Sequence, residues 1–219
     1  MMDPEIETGY PRKRAQTRAR LRRAGMSVIA VKGTSATVGE IAGSAGVAQG
    51  TFYNHFPSLD GLVAEIAEEL GSGVEIAQDA LDAVERDPAA RVALGVLQLL
   101  GMADGDETAA AAFVTLAAIR ADFRGRVRAI VGRAIVDGAE TGRFTVEPGP
   151  AATNAVLGAT LQSMRSIILG ETETDIAPDV ARLVLRVLGV ADAEADRVVD
   201  RAREIVRIPP VAALPGPPA

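Results

Sequence analysis

The sequence predicts an all-α protein in which a small N-terminal helix-turn-helix unit precedes a larger helical body. Three observations carry that expectation. Apolar residues recur at steps of three and four along most of the 219 residues, whereas alternating runs and β-branched clusters bounded by turns are scarce. The helical stretches are separated by turn-forming segments, "KGTSAT", "DGDE", "TGRFTVEPGP", "GETETD" and "GVAD". Charge is also divided unevenly. From Pro11 to Phe56 eight Arg and Lys stand against Glu40 alone, a balance of +7, so the chain's total of -6 leaves -13 for the remainder. A basic head on an acidic body is the charge pattern of a protein whose head meets a polyanion.

The elements follow in order. Gln16–Val31 reads as the first helix, with Ala19, Leu21, Met26, Ile29 and Ala30 mostly on one side and Arg residues over its first turns. Gly33 stops it, being suited to a left-handed C-terminal position. Val38–Ala45 is a short second helix, and Thr37 with Glu40 has the spacing of a capping box. Gly46 ends it. Gln49–His55 makes a third helix, stopped by Pro57, and Leu59–Leu81 a fourth, with Leu62, Ile66, Leu70, Val74 and Leu81 at helical steps. Gly71-Ser72-Gly73 is expected to bend or loosen it. After Asp87-Pro88 the helices turn Ala-, Val- and Leu-rich: Ala89–Ala103, Thr108–Ala121, Phe123–Glu140, Ala151–Leu169, Ala177–Leu188 and Ala193–Val206. Thr145-Val146 is too isolated for a useful strand. The prolines of "IPPVAALPGPPA" forbid a helix and predict an extended tail. The expected divisions are residues 1–58 for an N-terminal arm and head, 59–207 for the body and 208–219 for the tail.

Composition excludes several kinds of chemistry. With 48% apolar residues the chain buries a real core. It has no Cys, which removes disulfides, zinc-thiolate sites and thiol catalysis. Its one His, His55, has no Asp or Glu at ligand spacing, which argues against a metal site or a general base. "GSGVEIA" at Gly71 follows no strand and is not a phosphate loop. We therefore expect no enzyme, no cofactor and no metal. The start has no apolar signal region, and the longest apolar runs, Val92–Ala103 and Ala109–Ile119, fall short of the roughly 18 residues of a membrane span. A soluble cytoplasmic protein without membrane contact is expected.

Two short helices joined at Gly46 have the form of a helix-turn-helix. Ala42 sits where they cross closely, and Gly46 supplies the positive φ of the turn. Ile41, Val47, Phe52 and Phe56 close a small core beneath them. The third helix then presents Gln49, Thr51, Tyr53, Asn54 and His55 outward, while Gly50 admits a close backbone approach. Amides, hydroxyls and an imidazole beside a basic first helix suit phosphates and base edges in a DNA major groove.

The run "ATVGEIAGSAGVAQGTFYNHFPSLDGLVAEI" resembles the DNA-binding signature of the TetR family of bacterial transcriptional regulators. Thr37, Ile41, Ala42, Ala45, Gly46, Val47, Gly50, Thr51, Phe52, Tyr53, His55, Phe56 and Leu62 match it. Two positions depart from the pattern. Ala48 stands where the family usually has a capping Ser, at a cost of about 1 kcal/mol of helix stability. "PSLDG" replaces the Lys often found near Leu59. The resemblance implies a DNA-binding regulator, usually a repressor, that binds a duplex operator as a homodimer through Arg12, Arg14, Arg18, Thr37, Gln49, Gly50, Thr51, Tyr53, Asn54 and His55. It also implies a C-terminal helical domain that dimerises, here through Ala151–Leu169 and Ala177–Leu188, and binds a small hydrophobic effector. Polar or flexible side chains within the apolar helices, Gln98, Met102, Thr115, Arg120 and Met164, are the expected effector contacts. The alternative is a TetR-like DNA binder controlled by a protein partner, or one with no small effector.

Overall fold

A computed structural model describes residues 4–172 and 176–205, with side chains from Arg12 onward. The expected tail at 208–219 and part of the "GETETD" turn lie outside the described residues. Among the described residues all regular structure is helical: α1 (Pro4–Lys32), α2 (Val38–Ser44), α3 (Gln49–Tyr53), α4 (Leu59–Val84), α5 (Pro88–Gly105), α6 (Glu107–Ile119), α7 (Ala121–Glu140), α8 (Pro150–Ile168), α9 (Ala177–Val187) and α10 (Asp192–Ile205), with a 3-10 turn at Gly33–Ser35. No described helix is long and apolar enough to cross a membrane.

Most boundaries follow from local chemistry. Ser58 caps α4 by accepting from the Gly61 N–H, Asp87 caps α5 ahead of Pro88, and Asp106 caps α6. The Thr37–Glu40 capping box forms as its spacing predicts, with the Thr37 side chain accepting from the Glu40 N–H and the Glu40 carboxylate accepting from the Thr37 N–H.

Two helices differ from expectation. The first begins at Pro4, not Gln16, so a helix stands where an N-terminal arm is expected. Pro4 suits a helix start and Arg12, Lys13, Arg14 and Ala15 favour helix, so the helix extends ahead of Gln16 and continues through Pro11, whose missing N–H donor disfavours that position. The fourth runs unbroken through Gly71-Ser72-Gly73 to Val84. Arg126 of α7 accounts for this: its guanidinium donates to Glu68 on one side of the glycines at 2.6 Å and to Glu75 on the other at 3.1 and 2.8 Å. It lies so close over the helix that a Cβ on Gly71 would meet Arg126 Nη1 at 2.9 Å.

One hydrophobic core runs through the molecule without a break at the division between residues 58 and 59. It starts under the head with Leu21, Ile41, Phe52 and Phe56, passes through Leu62 and Ile66 of α4, and reaches Phe113, Phe123 and Leu185 in the body. There α1 lies against α6, and α5 lies against α8, α9 and α10. The segment after α7 is pinned back onto this body. Phe144 is buried against Gly138, where a Cβ would stand 2.0 Å from the ring. Arg143 donates to both oxygens of Asp87 at 2.7 and 2.9 Å and to Glu194 at 2.9 Å. Thr145 and Val146 donate their N–H groups to the Leu188 carbonyl instead of forming a strand.

Candidate functional site

Helices α2 and α3 are held at their turn by Gly46, whose φ of +64° is open to glycine at little cost. The Val47 N–H donates to the Ala42 carbonyl at 2.9 Å, and Ala42 is buried where the two helices meet. Phe52 and Phe56 are buried below, as their sequence positions imply. Above them Gln49, Gly50, Tyr53 and Asn54 are exposed, with Thr51 and His55 half-buried. The Tyr53 ring stands edge-on against Phe52 at 5.4 Å between centroids and remains 57% exposed, which aims its hydroxyl outward from a fixed base. Gln49 leans back over α2, so that a Cβ on Gly39 would meet its Nε2 at 2.6 Å. Ala48 gives α3 no side-chain cap. Thr37 is exposed at the start of α2, but its hydroxyl already serves the capping box.

The basic residues of α1 divide into two groups. Arg18 donates to Glu65 of α4 and to the His55 carbonyl, and its guanidinium lies 4.2 Å above the Phe56 ring. It fastens the end of α3 to α1 and α4 and so acts as a brace, while its side chain stays 42% exposed. Arg20 donates to the Ala45 carbonyl, Arg22 pairs with Glu65 and Glu69, and Lys32 pairs with Glu40. Arg12, Lys13, Arg14, Arg20 and Arg23 are exposed and have no acidic partner among the described residues. Five of the eight cations are therefore left without a carboxylate partner among the described residues. Burial, together with the positive charges of Arg14 and Arg18, pushes the His55 imidazole below its ordinary value of 6.5, and its Nδ1 is buried without a hydrogen-bond partner. His55 thus favours the neutral form, which meets phosphate by hydrogen bonding and not by charge.

In the body, a cavity of about 90 Å³ opens between α4, α5, α7 and α8. Val74, Ala77 and Leu81 of α4, Val92, Val96 and Leu99 of α5, and Val127, Ile130, Val131 and Ala134 of α7 form its apolar walls, with Phe113 behind. Four polar side chains reach it: Gln78, Arg91, Gln98 and Thr160. Of the five expected effector contacts, Gln98 alone lines this cavity. Met102 and Met164 are fully buried core residues elsewhere, their flexible side chains filling gaps. Thr115 donates to the Ala30 carbonyl where α6 meets α1, and Arg120 is tied to Asp60 and Asp122 at the α6–α7 corner. Gln78, Arg91, Phe113 and Thr160 are among the wall residues that sequence reasoning misses; their helical periodicity is the same as that of any core face.

Known proteins share both halves of this arrangement. Residues 21–71 match the family model described as bacterial regulatory proteins, tetR family, and residues 87–201 match a tetracyclin repressor-like C-terminal domain. No curated protein matches the chain. Among solved structures, RolR in complex with resorcinol is 30% identical, aligning over 87% of this chain and 96% of its own with a TM-score of 0.59. A regulatory protein in the tetR family from Rhodococcus RHA1 is 28% identical over 80% of this chain and 98% of its own, with a TM-score of 0.66. A gamma-butyrolactone receptor (ArpA-like protein), 17% identical over 88% of this chain and 97% of its own, shares the fold with a TM-score of 0.69.

Proposed function

The chain belongs to the tetR family of bacterial regulatory proteins and is a transcriptional regulator; from that premise we propose that it is a repressor released from operator DNA by a small, largely apolar effector. Two copies bind the duplex, each setting α3 into the major groove. Gln49, Thr51 and Asn54 lie nearest the base edges, Gly50 admits close approach, and Tyr53, Arg12 and Arg14 meet phosphates. Thr37 and His55 add hydrogen bonds at the edge of that surface. The outer face of α8 supports pairing of the copies: Ala151, Asn154, Ala155, Gly158 and Gln162 are exposed and mostly small, and the apolar Leu169, Leu183 and Val187 are exposed nearby. A two-fold dimer is also what half-sites one helical turn apart require.

The observation that carries the proposal is the course of α4. Leu62 and Ile66 are buried in the core that seats the head, and Val74, Ala77, Gln78 and Leu81 of the same unbroken helix form a wall of the cavity. A ligand in the cavity and DNA on the head therefore act on one rigid element, and any change either makes in the other's affinity must be reciprocal. RolR, 30% identical, is solved with resorcinol, a small ring compound, which supports an effector of that scale. The cavity favours this function over control by a protein partner alone.

Selection of duplexes from a random library by the full chain tests the proposal. Recovered sites should be two half-sites related by a dyad and about one helical turn apart. Thr51→Ala and Gln49→Ala should erode sequence preference, whereas Tyr53→Ala should weaken selected and random duplexes alike. An asymmetric single half-site, or Tyr53→Ala losing preference alone, would overturn the assignment. A cavity ligand that leaves operator affinity unchanged would refute release.

A further inference from the structure

The cavity between α4, α5, α7 and α8 restricts its occupant by size, charge and one unsatisfied polar group. At about 90 Å³ it is smaller than the roughly 150 Å³ apolar cavity that admits benzene, so even one ring requires the walls to give, and anything larger is disfavoured further. Arg91 is the sole cation among the lining residues, and its guanidinium is held between Asp82, at 3.5 Å, and Asp137. No free positive charge remains to neutralise a carboxylate, which such walls would otherwise desolvate at great cost. Thr160 spends its hydroxyl proton on the Val156 carbonyl at 2.8 Å and keeps an oxygen that accepts. Gln98 differs from the others. It is 7% exposed and lines the cavity, and its amide makes no hydrogen bond to another described residue, its polar atoms keeping some accessible surface. A wholly apolar occupant would leave that donor and acceptor dry and unpaired, which is unfavourable.

We propose that the ligand of this cavity is an uncharged, single-ring molecule bearing a hydroxyl or carbonyl group, and that Gln98 selects it by pairing with that group. The inference rests on the effector site proposed above and adds the ligand's chemical class and the residue that reads it. A hydroxyl on the ring accepts from the Gln98 amide N–H or donates to its carbonyl, with the Thr160 oxygen as a second acceptor. The ring itself packs among Leu81, Leu99, Val131 and the face or edge of Phe113, whose own position is fixed edge-on by Phe123 at 5.0 Å between centroids.

Phenol and toluene are nearly equal in size and differ in the polar group. Benzoate is two non-hydrogen atoms larger and charged, so uncharged benzamide, which matches benzoate in size, is titrated beside it to separate charge from size. Each is titrated into the full wild-type chain and into Gln98→Leu, with the methyl NMR signals of Leu81, Leu99 and Val131 locating the site. Phenol should bind the wild type at least about a hundredfold more tightly than benzoate, and benzamide should also bind more tightly than benzoate. Gln98→Leu should weaken phenol by about tenfold or more while binding toluene at least as well as the wild type does. The phenol-to-benzoate ratio needs no variant and stands even if Gln98→Leu folds poorly. Benzoate binding as tightly as phenol or benzamide, or phenol indifferent to Gln98→Leu, would overturn the ligand class while leaving the cavity a ligand site. If none of the four shifts those methyls in the wild type, the effector site falls and this inference with it.

Discussion

Arg18 and Arg14 lie one turn apart on α1 and are predicted to fail in opposite ways. Replacing Arg18 by Met keeps the apolar stem over Phe56 and removes three interactions. A charged donor to the His55 carbonyl contributes on the order of 1.5 kcal/mol at the least. The pair with Glu65 is discounted to about 0.5 kcal/mol because the side chains are 42% and 29% exposed. The guanidinium over Phe56 adds about 0.5 kcal/mol, partly returned by the methionine sulfur. Arg18→Met should therefore destabilise the fold by about 2 kcal/mol, a fall in Tm of about 4–8 °C for a chain of this size. Arg14→Met removes an exposed cation without an acidic partner and should leave Tm within about 1 °C. Binding to a random duplex, measured well below the melting range as a function of salt, should reverse the order. Arg14→Met should lower the slope of log K against log salt by about 0.9, one phosphate's worth, and Arg18→Met should leave it unchanged. An Arg18→Met protein with wild-type Tm and a slope reduced by about one would refute the division of α1 into braces and free cations.

The lowered pKa of His55 makes the protonated form favour unfolding. Its contribution is complete above the unfolded value of about 6.5 and is lost as the pH falls from there toward the folded value. Denaturation between pH 7 and 5 should show that loss, and His55→Gln should remove its share; an unchanged profile would clear His55 of the effect. Gly138→Ala places a Cβ 2.0 Å from the Phe144 ring and should cost about 1–3 kcal/mol by urea denaturation, and much less in a Phe144→Ala background. Sedimentation of the full chain at low micromolar concentration should give a species of twice 22.7 kDa, shifted toward the monomer by Leu183→Asp; a monomer throughout would refute the dimer.

What the sequence makes legible is what local chemistry decides. The Thr37–Glu40 box, Gly46, Asp87-Pro88 and the turn segments place the helix ends from α2 to α9 to within about three residues, because caps and glycines act over one turn. Partners remote in the chain are another matter. The charge of Arg18 is visible, but Glu65, 47 residues away, is not, so a brace reads as a free cation. In the same way Arg126 hides the strength of Gly71-Ser72-Gly73. The cavity is the least legible feature. Val92, Val96 and Leu99 have the periodicity of a packed face, and an empty volume arises only from how four helices meet. Gln98 stands out as a polar residue in an apolar run, whereas Met102 and Met164, chosen for flexibility, are spent on filling the core.

The placement of Arg126 has a mechanical consequence. Its neighbour Val127 faces the cavity, while Arg126 itself straddles the most pliable turn of α4. One residue step on α7 thus separates a cavity wall from a splint. Without Arg126 the glycines would let the two halves of α4 flex independently, and a push at the cavity would dissipate before reaching the head. With Arg126 in place, the two halves of α4 are tied together across the glycines. Under the proposed effector control, an occupant that displaced Val127 would act on α4 through the same ion pairs. The stiffness of the transmission is therefore adjustable from outside the helix that carries it: ionic strength or a neutral residue at 126 would soften the linkage without touching either binding surface.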